Sequence, residues 1–160
     1  KKFPIDIQII EDGEEILDTG GGIFNMIKNS DDNEFIIFNP DTLWHEYYLD
    51  EISDMQNFYF SKKLDNILLL ANKKLSFDKN LKGDFNFSSN ILKKNNNNDF
   101  IFIGCQILNR NLFQKDKVYS FPISEIWNDL LKKDKLNGFE SFNKFYHLTN
   151  LETFKKLKDL

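Results

Sequence analysis

Cysteine is almost absent from this chain. A single Cys105 lies in the apolar run "FIFIGCQIL". One thiol cannot close an internal disulfide, so its expected role is a buried structural group and not a nucleophile. A reducing, cytoplasmic setting is the default expectation. Long apolar runs are missing as well. None approaches the roughly 20 residues needed to cross a bilayer, and no signal-peptide pattern is present. Basic charge is not in excess: 21 Lys and Arg against 25 Asp and Glu leave a net charge of −4, the wrong sign for a nucleic-acid binder. The lysine pairs at 62–63, 73–74, 93–94 and 132–133 are dispersed and read as solvated faces. Only two histidines occur, His45 and His147. They are too far apart for a two-histidine metal motif, and no Ser-His-Asp or Cys-His arrangement can be argued.

What is present suits one globular domain. The chain has 160 residues, 41% of them hydrophobic, enough to bury a real core. It opens on Lys1 and not Met, which reads as the middle of a protein.

Periodicity supplies the elements. "IDIQIIED" alternates apolar and polar side chains as a half-buried strand does. "DGEEILDTGGG" reads as loop, with a short helix, "GIFNMIKN", launched from the glycines. "EFIIFN" and "NILLLANK" are continuous apolar runs, expected as strands covered on both faces. Between them "YYLDEISDMQNFYFSKK" places Tyr48, Ile52 and Met55 on one helical face. This order implies a parallel sheet with crossovers. "KGDFNFSSNILKKNNNNDFIFIGCQIL" suggests an antiparallel insertion, with residues 95–98 a loop tip without function. "FPISEIWNDLLKKDKL" reads as an amphipathic helix with Ile126, Leu130 and Leu131 inward, ended by Asn137-Gly138. "FESFNKFYHL" reads as a last strand. The final helix, in "TNLETFKKLKDL", has a capping-box pattern of Thr149 with Glu152.

Three features could carry chemistry, and each has a plainer reading. Asp41 follows the strand "EFIIFN" after Pro40. A carboxylate at the carboxyl end of a strand suits Mg2+ beside a phosphate, yet Asp is also a favoured helix N-cap, the commoner role on spacing alone. Gly20, Gly21 and Gly22 precede a helix, where bare backbone and free N–H groups could meet a ligand; a turn explains them as well. The run lacks the ending of a phosphate-binding P-loop and the spacing of a dinucleotide fingerprint. Gly83-Asp84 opens the insertion, where a simple turn would also use that pair.

The order of these pieces is more specific than any one. "LDTGGGIFNMI", "FIIFNPDTLW", "NILLLANKKLSFDKNLKGDF", "FIFIGCQILNRNLF", "FPISEIWNDLL" and "FYHLTNLETF" resemble, in collinear order, the bacterial sugar-1-phosphate nucleotidyltransferases. The likeness is nearest to the N-acetylmuramate-1-phosphate uridylyltransferase branch. It implies a Rossmann-like nucleotidyltransferase sheet, mostly parallel, with a small antiparallel insertion. It also implies that Thr19, Gly20, Gly21 and Gly22 lie against the nucleobase, and that Asn39, Gly83 and Asp84 serve the sugar phosphate. Asp41 would be the Mg2+ ligand. His147 falls where much of the family carries a second metal-binding aspartate, with Thr149-Asn150 in place of the usual Gly-Thr. Imidazole is a poorer ligand than carboxylate for Mg2+.

The family opens with a Gly-rich, Arg-containing loop and a Pro-Lys-Pro lysine, and nothing here matches them. Residues 1–160 are therefore expected to be a partial nucleotidyltransferase domain without its N-terminal nucleotide-binding segment and without catalytic residues of its own. It should be inactive alone and poorly soluble through an exposed sheet edge. The implied partners are a nucleoside triphosphate, UTP favoured, and a sugar 1-phosphate, with neither nucleic acid nor membrane. The alternatives are a mannose-1-phosphate guanylyltransferase or a non-catalytic nucleotide-sugar-binding regulatory homologue.

Overall fold

The computed structural model describes residues 6–114, 117–148 and 150–158. Four helices and six strands follow in the order α1 (Asp18–Lys28), β1 (Glu34–Phe38), α2 (Tyr48–Lys62), β2 (Asn66–Asn72), β3 (Asn86–Ser88), β4 (Ile91–Lys93), β5 (Phe100–Asn109), α3 (Ser124–Lys132), β6 (Gly138–Ser141) and α4 (Leu151–Lys158). The main sheet is ordered β1-β5-β2-β6, and β3-β4 is a separate hairpin. β1 and β2 both pair antiparallel with β5, and β2 pairs parallel with β6. Three of the four strands therefore run the same way. β5 threads between β1 and β2 in the opposite sense, and the hairpin is the antiparallel insertion.

β2 is central because every residue from Asn66 to Ala71 is buried. Its side chains alternate between faces. Ile67, Leu69 and Ala71 pack under Tyr48, Met55 and Tyr59 of α2. Leu68 and Leu70 pack on the other face with Leu92 of the hairpin and Leu130 of α3. α1 joins that second face through Ile23, Phe24 and Ile27. The result is three layers, with α2 on one side and α1, α3 and the hairpin on the other. Complete burial of Met55 contributes about 1.5–3 kcal/mol to docking α2.

Several expectations need correction. The run Asp6–Leu17 forms no strand, and Ile7, Ile9 and Ile16 are exposed. Alternation makes a strand only where a partner edge is offered. β1 is not covered on both faces. It is an edge strand, and Ile36 and Phe38, paired to Ile107 and Cys105, point to the α2 side but lie beyond its reach. α3 stops at Lys132 and turns on Asp134 (φ 54°), while Gly138 already belongs to β6. β6 ends at Ser141, because Glu51 of α2 accepts from Ser141 Oγ (2.6 Å) and from the Phe142 amide (2.9 Å) and draws the chain off the ladder. Asn98 is buried and ties residues 95–98 into a turn, accepting from the Asn95 amide at 2.9 Å. The capping residue Thr149 lies outside the described residues; Asn150 Oδ1 accepts from the Thr153 amide at 2.9 Å. Among the described residues no helix is long and apolar enough to cross a membrane.

Candidate functional site

Asp41 does not cap a helix. α2 begins only at Tyr48, so the stretch after β1 has another role. Asn39 leaves the strand with its amide on Gly104 O (2.7 Å), and Thr42 Oγ1 donates to Ile103 O (2.9 Å). Trp44 Nε1 closes the turn on Asn39 O at 3.2 Å. The turn can sit this close because position 104 has no side chain. A Cβ there would stand 2.9 Å from Thr42 Oγ1 and 3.0 Å from Asn39 Cβ. Gly104 also has φ +89°, at the point where the β2-β5 register slips between Leu68 and Leu70. A bulge with a left-handed glycine re-aims the chain beside it. The turn that carries Asp41 packs against this one.

The opposite wall is the strap 145–148. Phe145 is stitched to the loop after β2, its amide donating to Leu75 O (3.0 Å) and its carbonyl accepting from Phe77 N (2.8 Å). Leu43 N then donates to Tyr146 O (3.0 Å) and Leu148 N to Asp41 O (2.8 Å). Tyr48 Oη anchors the strap's approach on Lys144 O at 2.8 Å. These bonds carry His147 across the carboxyl edge of the sheet, 106 residues after Asp41 in sequence but with Nε2 3.0 Å from Asp41 Oδ2. Side-chain exposure is 27% for His147 and 46% for Asp41. The second carboxylate oxygen behaves differently. Oδ1 is buried and has no hydrogen-bond partner. An ionised oxygen hidden from water without a donor is costly, and a cation is one way to satisfy it.

That orphan atom is the test of a Mg2+ site. Among the described residues no group of three or more His, Cys, Asp and Glu comes together. Mg2+ does not require one, since it keeps several waters and binds through one or two carboxylates plus substrate phosphates. Asp41 fits that demand. His147 Nε2 meets Oδ2 of the same carboxylate.

Asp84 reaches the same stretch of β5. Its Oδ2 accepts from the Phe102 amide at 3.0 Å, and its own amide donates to Phe100 O at 2.7 Å. The residue is exposed overall, yet partial desolvation raises its carboxyl above the ordinary value, opposed by the Phe102 hydrogen bond and the charge of Lys94. Gly83 is required by packing, because a Cβ would stand 2.2 Å from Asn98 O. Residues 102–104 of β5 thus tie together Asn39, the Asp41 turn and Asp84.

The glycine triplet is the first turn of α1, not a loop. Gly20 N and Gly21 N both donate to Phe121 O (2.9 and 3.1 Å), and Thr19 Oγ1 accepts from Ile123 N at 3.0 Å. A Cβ on Gly21 would meet Tyr119 O at 2.4 Å, so this glycine is packing. Gly22 is different, with nothing closer than Asp12 Oδ2 at 3.7 Å. α1 rises about 16 Å over its eleven residues and β1 about 16 Å over its five. The short connection 29–33 joins the two. Thr42 and Gly104 escaped the sequence reading. A lone glycine inside an apolar strand run was the available signal.

No family model matches this chain, and no curated protein matches its sequence significantly. Solved structures do. HddC from Yersinia pseudotuberculosis complexed with GMP-PN is 21% identical, with a TM-score of 0.63 over 92% of this chain and 63% of that one. UDP-glucose pyrophosphorylase complexed with UDP-glucose is 12% identical, TM-score 0.66, over 91% and 62%. The inositol-1-phosphate CTP transferase from T. maritima is 9% identical, TM-score 0.65, over 86% and 58%. The chain spans 58–63% of the length of these three structures. At such identities it is the architecture that is shared, and this chain has the Rossmann-like α/β fold of the nucleotidyltransferases.

Proposed function

We propose that this chain serves the transfer of a nucleotidyl group to a sugar 1-phosphate, giving a nucleotide sugar and pyrophosphate. The observation that carries the reading is the buried, unpartnered Asp41 Oδ1 at the carboxyl end of β1, with Oδ2 held by His147. The ligand crevice of an open α/β sheet lies at that edge. In the reaction an oxygen of the sugar phosphate attacks the α-phosphorus in line. One P–O bond forms, the α–β anhydride bond breaks, and pyrophosphate leaves with the electron pair. A divalent cation, when bound, would offset the charge gathering on the α-phosphate oxygens.

The chain's own residues position the reactants. Asp41 presents Oδ1 to the cation, and His147 fixes the carboxylate rotamer. Asp84, oriented by the Phe102 amide, keeps Oδ1 for a sugar hydroxyl, beside Asn39 and Gly83. The start of α1 takes the base, with Gly22 the one glycine of the three whose Cβ position is not crowded, its nearest neighbour being Asp12 Oδ2 at 3.7 Å. UTP and N-acetylmuramate 1-phosphate are the favoured pair, resting on the motif order in the sequence. A guanine nucleotide is the second reading, favoured by the likeness to HddC complexed with GMP-PN. Calorimetric titration of this chain with UDP- and GDP-sugars in Mg2+ tests both. Mg2+-dependent binding that weakens in Asp41→Asn is expected. Binding of neither, or binding indifferent to Asp41, would refute the proposal.

A further inference from the structure

One lysine pair lines a cleft. The loop 73–83 and the asparagine run 96–98 enclose a cleft of about 640 Å³. Four lysines line it, Lys73, Lys74, Lys79 and Lys82, with four asparagines and no Asp or Glu. In a chain with more acids than bases this is a local reversal of charge.

Two of the four ammonium groups are used by the fold. Lys73 Nζ donates to Asn98 O (3.1 Å) and pairs with Asp99 Oδ1 (2.8 Å), which holds the Asp99 carboxyl below its ordinary range. Lys79 Nζ donates to Lys74 O (3.0 Å) and Ser76 O (2.7 Å), closing the loop on itself. Asp78, in the same loop, accepts from the Asn80 amide at 2.9 Å. Among the described residues Lys74 Nζ and Lys82 Nζ have neither a hydrogen bond nor an ion pair. Like charges gathered round a concave surface repel one another, and Asp99, which also feels the charge of Lys74, offsets this only in part.

We infer that this cleft binds a small phosphate-bearing anion, held by the ammonium groups of Lys74 and Lys82 with asparagine carboxamides donating at the rim. Lysine binds phosphate as a mobile point charge, without the fixed fork that arginine requires. No aromatic side chain lines the cleft, so it offers no stacking platform for bases. The net charge of −4 opposes the approach of a polyanion such as nucleic acid. Neither Asp41 nor His147 lines the cleft, and the assignment stands whether or not nucleotidyl transfer does.

The test is an NMR titration of the whole chain with inorganic pyrophosphate in the absence of divalent cations. Saturable amide shifts confined to residues 73–83 and 96–98 are expected. Lys74→Ala with Lys82→Ala should weaken binding at least about tenfold, since each removes a charged hydrogen-bond donor. Lys74→Arg with Lys82→Arg, Asp41→Asn, and the charge-matched Lys132→Ala with Lys133→Ala should retain it. Shifts that never saturate, or equal weakening in the lysine 132/133 control, would overturn the assignment.

Discussion

Replacing Gly104 by alanine should damage the fold and the candidate site together. The backbone at φ +89° is left-handed, and an L side chain there costs about 1–2 kcal/mol. The new Cβ would also lie 2.9 Å from Thr42 Oγ1 and 3.0 Å from Asn39 Cβ. Carbon contacts prefer about 3.5–4.0 Å, so the Asn39–Thr42 turn must withdraw by roughly 0.5 Å or more. Withdrawal stretches the bonds from Asn39 N to Gly104 O (2.7 Å) and from Thr42 Oγ1 to Ile103 O (2.9 Å). Each contributes about 0.5–1.5 kcal/mol net. The expected cost is about 2–5 kcal/mol, read as a lowered midpoint in urea unfolding at unchanged slope. Gly13→Ala supplies the control. It has φ +88° with nothing within 4 Å of its Cβ, and so isolates the backbone part. Gly104→Ala should also weaken divalent-cation binding at Asp41. If it costs no more than Gly13→Ala and leaves that binding intact, the bulge does not aim the carboxylate.

Three other outcomes follow from desolvated or hydrogen-bonded groups. Burial pushes the Cys105 thiol up to about 12, so the folded chain should resist thiol reagents at pH 8 and react only after denaturation; rapid labelling of the native chain would contradict its placement. Asp84 titrates above the ordinary aspartate value of 3.8 when folded, so the folded state binds the extra proton and stability falls as pH rises from 3.8 through the raised value. Asp84→Asn should flatten that part of the pH–stability curve, and an unchanged slope would count against desolvation there. Tyr48→Phe removes the bond to Lys144 O and should cost about 1 kcal/mol in urea unfolding. It should also loosen the strap that carries His147, seen as faster amide exchange at 145–148.

The sequence was legible where burial is dense and local. β2 and α2 stand where their apolar patterns put them, since both pack on the central sheet. It was misleading where a partner decides the outcome. The alternation at 6–12 meets no strand edge, and β1 reads as fully buried though α2 does not extend over Ile36 and Phe38. The end of β6 is set by Glu51, 90 residues before Ser141, which no local pattern can show. The candidate site follows the same division. Asp41 and His147 were both named through the motif order, but their 3.0 Å approach depends on hydrogen bonds along 145–148 that carry no sequence signal. Lys73-Lys74 looked like any solvated pair because a cleft is a property of the folded loop.

The central claim is that the Asp41 carboxylate holds a divalent cation beside a bound phosphate. Mn2+ added as a paramagnetic stand-in for Mg2+, with a UDP-sugar present, tests it at the His147 imidazole, whose Nε2 lies 3.0 Å from Asp41 Oδ2. Strong broadening of the His147 ring signals is expected, and Asp41→Asn should abolish it. Unbroadened His147 signals, or broadening that survives Asp41→Asn, would contradict the account.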